Sequence, residues 1–159
     1  MSGELKFIVD HNAGKLAKWL RMIGYDTLFF GGGDDSEMVT VALAEGRVIL
    51  TRDTQIMKRR VVTNGRLKAV LIKSDEPEQQ KQQLIEALNL DCRLKVFTLC
   101  LECNQPLEER SREQVKDLVP PYVFRTQSQY MECPACHRIY WRGTHWQAMT
   151  NKLDKFNRD

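Results

Sequence analysis

The sequence predicts an α/β protein: a parallel sheet flanked by helices, followed by a small segment stapled by zinc. Three observations carry this expectation. Over residues 1–93, short β-branched runs alternate with longer stretches of helical period, the texture of strands joined by crossover helices. After Asp91 the helical period breaks at Pro120 and Pro121, and four of the five cysteines fall between Cys100 and Cys136. Those four form two Cys-x-x-Cys pairs, Cys100 with Cys103 and Cys133 with Cys136. A boundary near Arg93 divides the chain into 1–93 and 94–159.

Taken in order, Lys6 to Val9 reads as the first strand. Leu16, Leu20 and Ile23 then recur at helical spacing, an amphipathic helix that ends at Gly24. Thr27 to Phe30 is the second strand, broken by Gly31, Gly32 and Gly33. Asp34, Asp35 or Ser36 caps a second helix with Met38, Val39, Ala42 and Leu43 on its apolar face, and Gly46 ends it. Val48 to Thr51 is a third strand, Thr54 to Val61 a short helix and Ala69 to Ile72 a fourth strand. Pro77 to Leu88 is a helix opened by proline in its first turn. A terminal helix is expected within His145 to Phe156.

With 159 residues, 42% hydrophobic and 28% charged, the chain is sized for one medium domain or one domain with a small appendix. No apolar run approaches the roughly 18 residues of a membrane span, and the first residues do not read as an export signal. A cytoplasmic protein with no membrane partner is the expectation. The formal charge of +3 is too small to argue for nucleic acid by itself.

In a reducing compartment, doubled Cys-x-x-Cys pairs bind metal more often than they form disulfides. Four thiolates suit tetrahedral zinc and leave no open position for substrate, so the site is structural. Cys133, Cys136 and His137 also spell the c-type haem attachment pattern, and either pair alone resembles a redox dithiol; neither explains the second, identical pair. Cys92 reads as a small buried hydrophobe. Tyr140, Trp141, Arg142, His145 and Trp146 offer stacking and phosphate contact to nucleic acid, or simply the packing that a small zinc domain needs.

In a parallel sheet, functional side chains gather beyond the carboxyl ends of the strands. Here those ends are acidic: Asp10 after the first, Asp34 and Asp35 after the second, Asp53 after the third, Asp75 after the fourth. Carboxylates converging there repel one another unless a hard cation, magnesium or manganese, lies among them. Such a cluster hydrolyses phosphodiesters. Asp34 reads as a cap, whereas Asp10 and Asp53 directly follow apolar strands and read as functional. Asp35 fits either role; Glu37 lies a turn into its helix, and Asp75 also fits an ordinary helix start. Lys15, Lys18 and Arg21 line one side of the first helix, as a solvated face or a phosphate track. Arg52, Lys58, Arg59 and Arg60 follow the third strand and are the stronger phosphate candidates. His11 reads as a local hydrogen-bonding residue.

The run Phe7-Ile8-Val9-Asp10, then Leu16-Ala17-Lys18-Trp19-Leu20-Arg21 with Gly24-Tyr25-Asp26-Thr27, resembles the Mut-seven C-terminal RNase family. Glu45-Gly46-Arg47, Leu50-Thr51-Arg52-Asp53, Lys73-Ser74-Asp75, both cysteine pairs and Tyr140-Trp141-Arg142-Gly143 with His145-Trp146 look like that family in the same order. The resemblance implies a PIN-like nuclease fold with a C-terminal zinc ribbon. It implies a ribonuclease, endonucleolytic by expectation, in which Asp10, Asp35 and Asp53 hold magnesium or manganese and Asp75 is a fourth acid. RNA is then the partner, with Trp141 and Arg142 of the ribbon helping to grip it. PIN-like domains often pair, so a homodimer is in view, and the sequence names no other protein partner. A non-catalytic RNA or ribosome binder is the competing reading. A phosphoacceptor receiver domain is set aside, because Lys73 follows on the strand next after Asp53, where a receiver has a further strand between.

Overall fold

Phe7, Ile8 and Val9 form a run without a polar face, and such a strand has to be covered on both sides. In the computed structural model, which describes residues 5–92, 96 and 98–142, that strand is interior to a four-stranded parallel sheet. The strands are β1 (Phe7–Asp10), β2 (Thr27–Phe30), β3 (Val48–Thr51) and β4 (Ala69–Leu71), in the spatial order β2-β1-β3-β4. The helices of this part are α1 (Gly14–Met22), α2 (Asp35–Glu45), α3 (Thr54–Met57), α4 (Arg60–Thr63) and α5 (Pro77–Leu88).

Alternation along the strands divides the core in two. Phe7, Val9, Val48 and Leu50 face Leu16 and Leu20 of α1, Ile23 just beyond it, and Leu84 of α5. Ile8 and Ile49 face Met38, Val39 and Ala42 of α2, together with Ile56 of α3 and Leu67. Gly46 closes α2 in the left-handed conformation (φ 68°), where a Cβ would be strained.

Three expectations need correction. Leu43 is not a core residue; it is 41% exposed, and α2 buries only Met38, Val39 and Ala42. The helix expected over Thr54 to Val61 is two, α3 and α4, separated at Arg59, whose backbone is extended. Ile56, Val61 and Val62 all pack on the same core cluster. One continuous helix would turn Val61 and Val62 away from Ile56 by roughly 140° and 240° round the axis, so the break lets all three reach it. Arg21, expected on a wet or phosphate-tracking face, is 8% exposed. The boundary at Arg93 and the terminal helix of His145 to Phe156 lie outside the described residues.

A second, antiparallel sheet follows: β5 (Glu108–Arg110), β6 (Tyr130–Glu132) and β7 (Ile139–Trp141), in that order. With α6 (Arg112–Val115) and α7 (Pro121–Thr126) it encloses Val115, Val119, Val123 and Tyr130, against which Phe124, Ile139 and Trp141 pack. The Tyr130 hydroxyl donates to the Val123 carbonyl (3.0 Å), so the one polar atom this ring brings inside is satisfied.

The segment carrying the first cysteine pair attaches at the amino ends of the parallel strands. Arg21 Nε donates to the Thr27 carbonyl (3.0 Å) and its Nη1 to the Leu101 carbonyl (2.7 Å). Lys18, one turn earlier on α1, pairs with Glu102 (2.9 Å). Asn104 accepts from the Thr27 backbone N–H through Oδ1 (2.9 Å) and donates from Nδ2 to Asp26 Oδ1 (2.6 Å). The same Asp26 oxygen accepts from Arg47 Nη1 (2.9 Å), which also donates to the Phe7 carbonyl (3.1 Å). Burial disfavours the Asp26 charge, but hydrogen bonds from Arg47 and Asn104 and the Arg47 charge outweigh it and hold its carboxyl below its ordinary value.

Two outcomes follow. Arg21→Ala leaves the Thr27 and Leu101 carbonyls without this donor and should lower stability by about 3 kcal/mol, read as a fall in the urea midpoint. Because the folded pKa of Asp26 is depressed, its stabilisation is full above the unfolded value of about 3.9 and disappears as pH falls from there. Thermal unfolding from pH 6 down to 3 should therefore show a flatter acid limb in Asp26→Asn than in the parent.

Candidate active site and four-cysteine centre

The chain steps from β1 to β2 on one side and returns to β3 on the other. The crevice at the carboxyl ends of β1 and β3 is therefore the switch point where open α/β sheets bind ligands. Asp10 is the last residue of β1 and is 6% exposed. Thr51, the last residue of β3, is fully buried; its hydroxyl donates to Asp10 Oδ2 and accepts from the Asp53 backbone N–H (2.9 Å). Asp53 caps α3, accepting from the Gln55 N–H (2.8 Å).

Asp35 opens α2 and faces Asp53. Its carboxyl is pushed above the ordinary range by burial first and then by the Asp53 charge and a hydrogen bond between the two acids, with Arg59 opposing. Three of the four predicted acids thus form one chain of contacts, Asp10 through Thr51 to Asp53 and on to Asp35. Asp75 is drawn elsewhere: its side chain is 84% exposed and it pairs with Arg52. Asp34 caps α2 by accepting from the Ser36 N–H (3.0 Å), as expected of it. Glu37 is exposed and turned toward Gly33. Arg59 Nη1 reaches Ser36 Oγ (3.3 Å), while Lys58 and Arg60 are exposed.

Sequence reasoning missed Thr51 as a site residue. The available signal was a hydroxyl ending an apolar run two residues before Asp53. The donor set of Asp10, Asp35 and Asp53 is all carboxylate oxygen, the chemistry of a hard divalent cation. The mutual repulsion that raises Asp35 is what such a charge would relieve. Among the described residues, however, the four cysteines are the one group of three or more His, Cys, Asp or Glu whose ligand atoms all lie within 4.8 Å of one another, so the three acids stand wider apart than that.

The cysteines fit zinc closely. Cys100 Sγ and Cys136 Sγ are 3.7 Å apart. A tetrahedral site with the usual zinc–sulfur bonds has sulfurs about 3.8 Å apart. The two knuckles are built alike. The N–H of Cys100 donates to the Gln105 carbonyl and that of Asn104 to the Cys100 carbonyl (both 2.9 Å); Cys133 with Arg138, and His137 with Cys133, repeat the pattern at 3.0 and 2.8 Å. Each turn ends on a residue with positive φ, Asn104 at 62° and His137 at 64°. His137 therefore follows Cys136 as a turn residue, with Nδ1 2.9 Å from Glu132. Backbone N–H groups of Cys103, Ala135 and Cys136 point at the Cys100 and Cys133 sulfurs (3.4–3.5 Å). Burial raises the Cys100 thiol, but hydrogen bonds from Tyr140, from the Cys103 and Glu102 backbone and from Cys136 bring it down to about 7. Cys92 is fully buried and pushed up to about 11 by burial, then by Asp91, an inert thiol as read from the sequence.

Residues 5–153 match the Mut7-C RNAse domain family. The chain belongs to that family. The family is one of ribonuclease domains, so the substrate class that membership brings is RNA. Neither a curated protein nor a solved structure matches the chain. No helix among the described residues is long and apolar enough to cross a membrane.

Elemental analysis of protein purified without chelator should find a single zinc per chain. Cys133→Ser should lower that content and remove the cooperative unfolding of the β5–β7 part while leaving the parallel-sheet helicity by circular dichroism.

Proposed function

We propose that the chain is a divalent-metal-dependent ribonuclease that cuts RNA endonucleolytically in the cytoplasm. Residues 1–93 would be its PIN-like catalytic domain and residues 94–159 a zinc ribbon that helps hold the substrate. The observation that carries this reading is the connected set of acids across the switch point, Asp10 tied through Thr51 to Asp53, with Asp35 pressed against Asp53. Magnesium or manganese held by Asp10, Asp35 and Asp53 would supply a water of lowered pKa and neutralise charge on the phosphodiester.

The protein's own part is orientation. Thr51 fixes the Asp10 carboxylate from within the sheet, and its acceptance of the Asp53 N–H sets where α3 begins. Asp75 acts from the β4 side by holding Arg52, which with Lys58, Arg59 and Arg60 forms the phosphate-contacting rim. Trp141 lines a groove of about 490 Å³ with Leu118, His137, Arg138 and Tyr140, and Arg142 lies just beyond it in the chain. This groove supports a second, sequence-tolerant hold on RNA by stacking and charge.

The other reading, an RNA-binding module without catalysis, draws on the structural employment of two of the acids: Asp53 caps α3 and Asp75 pairs with Arg52. Manganese-dependent digestion of mixed RNA by purified protein decides between them. Asp10→Asn and Asp53→Asn should each slow cleavage on the order of 10²-fold or more. Equal cleavage by parent and variants, or none by either, moves the assignment to the binding module.

A further inference from the structure

Phe29 lies on β2, an edge of the parallel sheet, and is 47% exposed. A large aromatic exposed on an edge strand is a liability for association. Its neighbours are unusual. A Cβ on Gly14 would come within 3.0 Å of ring atom Cε1, and one on Gly31 within 3.0 Å of Cε2. The ring is thus lodged between two glycines that leave it room, one opening α1 just after Asp10 and its turn, the other directly after β2. In register, Phe29 sits opposite Val9, on the α1 face, and Phe30 opposite Asp10, so the ring is at the same end of the sheet as the acids and a strand seated on it reaches Asp10 over that end.

The glycine run after β2 supplies the second observation. Gly31 is needed to seat Phe29. Gly33 has φ 107°, which L side chains rarely adopt, and Glu37 and Phe30 crowd its Cβ position. Gly32 has neither reason: its backbone is not in the positive-φ region and nothing lies within 4 Å of where its Cβ would be. All three glycines are exposed. A glycine that its own chain does not require, between an exposed aromatic and the acid Asp35, leaves room for another backbone to approach closely.

We infer that Phe29, with the bare backbone of Gly31 and Gly32, seats an unpaired nucleobase and its sugar-phosphate, and so delivers a single strand to the acidic crevice. This rests on the ribonuclease reading for its substrate and adds the residues that position it. Phe29 offers the open part of its ring for stacking, which is tolerant of base identity. Lys15, exposed and next to Gly14, is placed to meet the following phosphate. A base held in a duplex is already stacked and cannot take this seat.

The test is binding, separated from cleavage by using the Asp10→Asn, Asp53→Asn protein. Its affinity for a fluorescein-labelled 12-nucleotide single-stranded RNA is measured by anisotropy, and a copy carrying 2-aminopurine reports stacking. Phe29→Ala should weaken binding about ten-fold and abolish the quenching of 2-aminopurine, while Phe29→Trp keeps both. Gly32→Leu should weaken binding several-fold with the melting temperature unchanged, since nothing in the protein occupies that space. Binding of the matching duplex should not change. Equal single-strand affinity in Phe29→Ala, Gly32→Leu and the parent overturns the inference, as does the absence of RNA binding by the parent. Failure of the ribonuclease reading shows instead as manganese-dependent cleavage that Asp10→Asn does not reduce, with the stacking signal intact.

Discussion

A carboxylate at the end of a fully buried strand has to be answered from within the fold, and the arrangement of this chain follows from how Asp10 is answered. β1 is covered on both faces and flanked by β2 and β3, so the end of the strand offers Asp10 little water. One group that meets it is the hydroxyl of Thr51, at the end of the adjacent β3. The same oxygen receives the Asp53 N–H, so β1, β3 and the entry to α3 are tied at one point.

The two ends of the parallel sheet are treated differently. At the amino ends, charge is compensated closely: Arg47 sits among Asp26, Glu45 and the Phe7 carbonyl, and Arg21 binds carbonyls of Thr27 and Leu101. Asn104 extends that network into the first cysteine knuckle. At the carboxyl ends, burial and then the Asp53 charge raise the Asp35 carboxyl, with Arg59 opposing. The first cysteine pair of the cluster that could hold a metal is thus tied to the end of the sheet remote from the acids, through side chains that touch strand starts.

Much of the architecture was legible locally. The limits of β2, β3 and α5 agree with the apolar runs and the proline that define them, and the Asp34 cap and the left-handed Gly46 follow from residue type. What was not legible depends on partners distant in sequence. Arg21 belongs by spacing to a basic helix face, and only the carbonyl of Leu101 explains its burial. Thr51 reads as the last residue of a strand until Asp10 arrives beside it. The cysteine spacing announced a metal, but Asn104 and His137 as matched left-handed turn residues were hidden because glycine is the usual marker of that conformation. Asp75 also fitted an ordinary helix start, and its pairing with Arg52 depends on a partner more than twenty residues away.

The separation of the ends bears on what the zinc part can contribute to chemistry. The first knuckle is tied to the strand starts, the opposite end of the sheet from the carboxylates, and a four-residue strand spans roughly 10 Å from first to last Cα. Any influence it has on the acids passes through the position of the strands or through a ligand long enough to reach both ends. The first route is mechanical: Arg21 and Asn104 hold the start of β2, and the same strand carries Phe29 and leads through three glycines into Asp35. The contacts of Arg21 and Asn104 with Thr27 thus reach, along one strand and its glycine run, to the helix that Asp35 opens.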